Sequence, residues 1–341
     1  MKVKLTTDWH LASKRVAGAT PASNQALQQY LVDSLDSALD PAYPHLICGD
    51  LLNDFTVDAG NLIAAYGVLA KFLSTGQEMA VLRGNHDHHP RGLQVSSFDL
   101  LMSILEAQFP RNLTVVREVR HWAHFILVPH LPNNEILKIE VEKLADVRDK
   151  VVVFHANYDN FHAADTAHSL NVTPEMAAML IGNGNVLVFG HEHDHRTLFG
   201  GNLLVLGNGA PASVSDCLGS GCKFSALFDG LNYELEKMVV IDDVFARVDW
   251  RNVADAPDKK FIRVEGEATA AEAAEVVSAA SALRQRSNAF AISNAVKVDG
   301  VAEFEALTEM SLDQITAFSV LDALLAELEP REQDVVKELL K

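Results

Sequence analysis

The sequence is poor in the features that would place it outside an ordinary soluble fold. It has only 3 cysteines in 341 residues, Cys48, Cys217 and Cys222, with no framework spacing. A chain of this length can bury a core without disulfide staples, and the usage fits a reducing compartment. No apolar run approaches the roughly 20 residues that span a bilayer, so no membrane partner is expected. "MKVKLTTDWH" runs from Met1 straight into a first strand, with no apolar leader or cleavage site, and the expected address is the cytoplasm. Basic residues are scarce, 28 Lys and Arg against 46 Asp and Glu, for a formal charge of −18. That balance argues against a free-standing, non-specific nucleic-acid binder, which needs a basic surface. It leaves room for nucleic-acid chemistry if cations occupy the site or a partner supplies the groove. There is no internal repeat, and no low-complexity tract beyond one Ala-rich helix.

What is present is an alternation of short apolar runs and helical patterns over the first 200 residues. Strands are expected at Val3–Thr7, His45–Cys48, Met79–Leu82, Val151–Phe154 and Val186–Phe189, and two adjacent ones at Leu113–Val119 and His121–Val128. Helices are expected at Asn24–Leu39, Asn61–Leu73, Glu135–Val147 and Thr173–Ile181, the last capped by Thr173 with Pro174 following. Continuous apolar strands between helices imply sheets covered on both faces, and later strands at 203–206, 224–228 and 233–240 imply an antiparallel portion. The expected fold is a layered α/β sandwich of mixed sheets flanked by helices, spanning 1–245. "RNVADAPDKK" reads as a linker. A small β-α-β cap over 256–300 follows, and then a helical pair over 308–341 carrying apolar stripes.

The strand ends hold the chemistry. They deliver Asp8 and His10; Asp50, with Asp54 beyond; Asn85, His86 and Asp87; His155; and His191 and His193. Active sites of open α/β sheets lie at such C-terminal strand ends. Asp8 and His10 are two residues apart, as are His191 and His193, so an extended segment would point each pair to one side. Gly49, Gly84 and Gly190 precede candidate ligands where a missing Cβ lets backbone approach closely. Mixed oxygen and imidazole donors suit Mn, Fe or Zn better than Mg or Ca, and a central carboxylate can bridge two ions.

"DWH", "GDLLND", "GNHD", a lone His and "GHEH", in that order over residues 8 to 193, resemble the five motifs of the calcineurin-like metallophosphoesterases. The resemblance implies two divalent ions, Mn foremost, with Mg, Fe or Zn as alternatives. Asp8, His10 and His193 would hold one ion, Asn85, His155 and His191 the other. Asp50 would bridge them and His86 would be the catalytic imidazole. Asp54 and Asp87 would support from behind, Asp87 by orienting either His86 or its turn. His88 and His89 are expected in an exposed polar loop. His130 and His195 are candidates for the surroundings of the site. His45, His121, His124, His162 and His168 are read as ordinary hydrogen-bonding residues, and Trp9 and Cys48 as core.

Within that family "DWHL", "FILVPHLPNNE" and the order of a β-α-β cap followed by a helical pair are similar to the SbcD-like nuclease subunits and the phage recombination endonuclease subunit, whereas "GNGAP" only approximates the G-S-P of that branch. This resemblance implies a DNA nuclease whose C-terminal helices dock on an SMC-like ATPase. A homodimer is a further expectation. The alternatives are a small-molecule or nucleotide phosphodiesterase or phosphatase and, less favoured because all the ligand positions are filled, a non-catalytic scaffold.

Overall fold

The computed structural model describes residues 1–14, 20–89, 94–160 and 169–298. The helical pair expected at 308–341 lies outside the described residues, as do His162 and His168.

Two six-stranded sheets form the centre. In the first, Lys2–Thr6, His45–Ile47, Met79–Leu82 and Leu113–Val116 run parallel in that spatial order. Cys222–Asp229 and Asn232–Val240 extend it antiparallel on the Lys2–Thr6 side. In the second, Leu203–Val205, Val186–Gly190, Val151–His155 and Phe125–Val128 are parallel, with short antiparallel edge strands at Arg196–Leu198 and Arg120–Trp122.

Side-chain alternation builds the layers. Val3, Leu5, Leu46, Ala80 and Leu82 of the first sheet meet Leu127, Val151, Val153, Val188 and Leu204 of the second in one buried cluster. The intervening positions face outward. Ile47, Met79 and Val81 pack beneath the helices Pro21–Ala38, Ala59–Leu73 and Ser97–Gln108. Val152, Phe154, Leu187 and Phe189 pack beneath Asn134–Lys143 and Pro174–Gly182. The result is a helix–sheet–sheet–helix sandwich, the layered architecture that strands apolar on both faces require.

Local signals explain most boundaries. Thr173 caps its helix through Met176 N–H, with Pro174 in the first turn. Thr20 and Ser23 form a capping box that starts the helix at Pro21, a little earlier than the apolar spacing places it. Two expectations change. The runs at 113–119 and 121–128 are not neighbours: Leu113–Val116 closes the first sheet, whereas Arg120–Trp122 and Phe125–Val128 form a hairpin at the edge of the second. Adjacency in sequence gives way because Leu113–Val116 and Phe125–Val128 are each apolar enough to be buried in a different sheet, with the largely exposed Arg120–Trp122 pairing at the edge of the second. The helix Ser97–Gln108 is not among the elements expected, although Phe98, Leu101, Met102 and Leu105 carry the helical stripe and Ser96 caps it.

The cap has its own core around Val248, Trp250, Ile262, Val264, Val276 and Leu283. Its sheet is parallel and three-stranded, Phe245–Asp249, Phe261–Ala268 and Ala291–Val298, with the helix Ala273–Arg286. The first strand comes from the segment ahead of 256. A short 3-10 segment, Trp250–Asp255, runs into the stretch read as a linker and buries Trp250 and Val253. Phe261, Phe290 and Tyr30 pack together where the cap meets the first helix, and Lys260 Nζ lies 4.0 Å from the Tyr30 ring centroid.

Candidate metal centre

The parallel strands of both sheets empty their C-terminal loops into one place. Asp8 and His10 do not reach it by extended alternation. Asp8 has φ +52° and His10 φ +43°, and His191, ahead of His193, has φ +82°. The left-handed region is costly for residues with a Cβ, of order 1–3 kcal/mol each, and persists where surroundings over-determine it. Here they do. Asp8 N–H donates to Gly49 O (3.1 Å), His10 N–H to Asp50 O (3.0 Å) and Leu11 N–H to Leu51 O (3.0 Å), lacing the first loop to the second. His191 N–H donates to Asp8 Oδ2 at 2.9 Å.

The glycines are required by contact. A Cβ on Gly49, at φ +106°, would lie 2.1 Å from His155 Nδ1, and one on Gly84 would lie 2.0 Å from Asp50 Oδ1.

Every residue expected to hold a metal converges here. Asp8, His10 and His193 offer donor atoms within 4.8 Å of one another, as do Asp50, His155 and His191, and as do His10, Asp50 and His86. His10 Nε2 stands 3.0 Å from His193 Nε2, 3.8 Å from Asp50 Oδ2 and 3.9 Å from Asp8 Oδ1. Asn85 Oδ1 lies 3.0 Å from His155 Nε2 and 2.9 Å from His191 Nδ1, and Asp50 Oδ1 is 3.2 Å from His155 Nε2. Asp50 therefore faces both groups with different oxygens.

The donor set fits cations. Asp8 Oδ1 is buried with no hydrogen-bond partner, a costly state for a carboxylate oxygen unless a positive charge satisfies it. The remaining donors are imidazole nitrogens and an amide oxygen, the mixture that suits first-row divalent ions.

The electrostatics among these groups agree. Burial drives His10 well below the usual histidine range, aided by His193. Burial, with His155 beside it, takes His191 down to about 3. Burial also opposes charge on His155, but Asp50 overcomes it and lifts the ring to about 9. Asp216 does the same for His193, again to about 9. Asp50 and Asp216 thus draw positive charge towards the centre, whereas burial raises Asp8 above the usual carboxylate range; protons or metal ions can supply the charge. A divalent ion that takes imidazole lone pairs displaces the protons.

Two imidazoles are aimed from behind. His155 Nδ1 meets Cys48 O at 2.8 Å, and His193 Nδ1 meets Asp216 Oδ1 at 2.7 Å. Both acceptors require the hydrogen on Nδ1 and leave Nε2 for a metal. His86 is exposed at the rim, its ring centroid 5.0 Å from that of His10. Its Nδ1 lies 2.7 Å from Asn53 O and its N–H donates to Asp50 Oδ1 at 3.0 Å.

Asp87 serves the turn and not His86. It is buried, accepts from Gly84, Leu51 and Leu52 N–H, and is pushed up to about 7 by burial and by Asp50. Asp54 is exposed; the carbonyl of its neighbour Asn53 holds His86. His88 and His89 are half-buried, contrary to the exposed loop expected. His88 Nδ1 meets Gly84 O at 3.0 Å and stacks obliquely near His130, and His89 packs on Phe55. His130 in turn lies 6.4 Å, ring to ring, from His155, whereas His195 packs on Phe224. Trp9 and Cys48 are core residues, as expected. Asp216, Lys223 and the Asn53 carbonyl are not among the residues expected at the centre. Asp216 sits in a polar turn with nothing to mark it, and a carbonyl has no sequence signature.

The family model of the calcineurin-like phosphoesterases matches residues 1–195. The chain belongs to that family. Metal-dependent phosphoester hydrolysis is accordingly the class of chemistry for which this phosphoesterase centre is built. No curated protein matches the chain. Among solved structures, TT1561 of Thermus thermophilus is similar over 70% of this phosphoesterase and 99% of its own chain, at 11% identity and a TM-score of 0.40. Among the described residues, no helix is long and apolar enough to cross a membrane.

Proposed function

We propose that this phosphoesterase is a DNA nuclease that hydrolyses phosphodiesters with two divalent ions, Mn foremost. Asp8, His10 and His193 would hold one ion, and Asn85, His155 and His191 the other, with Asp50 shared. When bound, such ions neutralise the phosphate and lower the pKa of water.

The protein's own groups do the rest. Asn53 O accepts only, so the hydrogen of the neutral His86 ring sits on Nδ1. In the protonated ring Nε2 carries the second hydrogen, and giving it to the departing oxygen would leave the neutral Nδ1–H form. Solvent reaches the exposed ring and can restore that proton. Asp87 keeps the turn carrying Asn85 and His86 in place by accepting Gly84 N–H at 2.8 Å.

The observation that carries the polymer reading is the placement of His86, exposed at the rim of a centre whose Asp8, His10, Asp50 and His155 are buried. A catalytic group at an open edge can meet a phosphate in the middle of a long strand. The −18 charge accords with a subunit that borrows its grip on DNA, and the expected partner is an SMC-like ATPase docking on 308–341. The test is hydrolysis by the full chain, with Mn2+, of a single-stranded oligonucleotide beside a cyclic mononucleotide and bis(p-nitrophenyl) phosphate. Metal-dependent cutting of the oligonucleotide is expected. Turnover of the small diesters with the oligonucleotide left intact would favour a small-molecule phosphodiesterase instead.

A further inference from the structure

A carboxylate outside all five motifs is built into the centre. Asp216 lies on a short 3-10 turn, Ser215–Cys217, and is 5% exposed. Its Oδ1 stands 2.7 Å from His193 Nδ1. Its Oδ2 accepts Ala212 N–H at 2.9 Å, and its own N–H donates to Ser213 Oγ at 3.1 Å. The carboxylate is therefore clamped by its own loop as it meets the imidazole. The main chain of His193 is gripped as well: its carbonyl accepts from Lys223 Nζ at 3.0 Å, and Lys223 is fully buried. Burying a lysine for a main-chain carbonyl is expensive, and here it secures the segment that carries His193.

We infer that Asp216 is the positioning residue for His193, holding the hydrogen on Nδ1 and aiming Nε2 at the ion shared with Asp8 and His10. The inference rests on the two-metal reading above. A carboxylate behind a ligating imidazole fixes the tautomer and raises basicity, and losing one typically weakens metal binding about 10- to 100-fold. The effect is one-sided, because His155, on the other ion, leans on the Cys48 carbonyl.

Calorimetric titration with Mn2+ of the full-length wild type, Asp216→Ala and Asp216→Asn tests it, alongside thermal unfolding of the EDTA-treated proteins. The wild type is expected to bind two ions. Asp216→Ala keeps one at wild-type affinity and binds the other about 10- to 100-fold more weakly. Asp216→Asn, which retains an acceptor oxygen without the charge, falls between. Two ions at wild-type affinity in both variants overturn the inference. Equal weakening of both ions does so too, since that marks a general structural role. If Asp216→Ala does not fold, Asp216→Asn decides by the same criterion: one ion weakened supports the inference, both or neither overturns it. A wild type that takes up no Mn2+ brings down the metal reading and this inference together. A wild type with two ions matched by its variants brings down this inference alone.

Discussion

The two halves of the centre aim their imidazoles by different means. His155 is fully buried at the end of a strand of the second sheet, and its Nδ1 meets a carbonyl, Cys48 O, from the first. That bond ties a strand end of one sheet to a strand end of the other. The His193 side chain is 35% exposed and meets a carboxylate from a loop more than 20 residues onward. One half is thus held by main chain, which any sequence with this fold supplies. The other depends on a single side chain that a point mutation can remove.

Substitutions can break this contrast in graded ways. The largest effect is expected where the halves meet. Asp50 faces His10 with one oxygen and His155 with the other, and those contacts hold it well below the usual carboxylate range despite burial. Asp50→Asn removes the shared charge, so both ions and turnover should be lost. Metal analysis after dialysis checks this, and two ions retained stoichiometrically would show that Asp50 is not shared.

His86 belongs to neither half. His86→Ala should retain both ions and lose turnover by about 10²–10⁴-fold, the usual worth of a positioned acid or base. Near-normal rates on a diester would remove His86 from the chemistry. Asp216→Ala comes between these in kind, since it should loosen one ion alone.

The smallest effect separates the titration of the fold from that of the centre. His45 is fully buried beside Thr6, and burial, with Lys4 nearby, takes it down to about 3. Its folded value lies below the unfolded 6.5, so the unfolded chain binds the proton first as pH falls. Stability present above pH 6.5 is then lost between about 6.5 and 3, at about 1.4 kcal/mol per unit. His45→Gln should flatten that acid limb. Urea unfolding of the EDTA-treated proteins at pH 7 and pH 5 measures it, and parallel losses in both proteins would exclude His45 as the source.

Much of this is legible in the chain. Short apolar runs closed by Gly-Asp, Gly-Asn or Gly-His mark the strands and their loops together, because a close-packed loop crossing needs a missing Cβ and a metal centre needs those donors. The helix Ser97–Gln108 also leaves a local trace, its stripe and its cap. Other features leave none. Asp8 and His10 share a side, but through left-handed residues stabilised by hydrogen bonds to Gly49 and Asp50 carbonyls, which no local pattern reports. Asp87 could serve His86 or the turn, and only the positions of the Gly84, Leu51 and Leu52 N–H groups decide for the turn.

The sequence by itself determined the layered α/β architecture and the order in which five strand ends deliver carboxylate, amide and imidazole. Burial periodicity and donor chemistry are properties of short segments. Only the tertiary structure decided what stands behind each donor: Cys48 O behind His155, Asn53 O behind His86, Asp216 behind His193. Those contacts join residues 23 to 107 positions apart, in directions set by how two sheets and their loops stack. A main-chain carbonyl has no side chain by which a sequence could announce it.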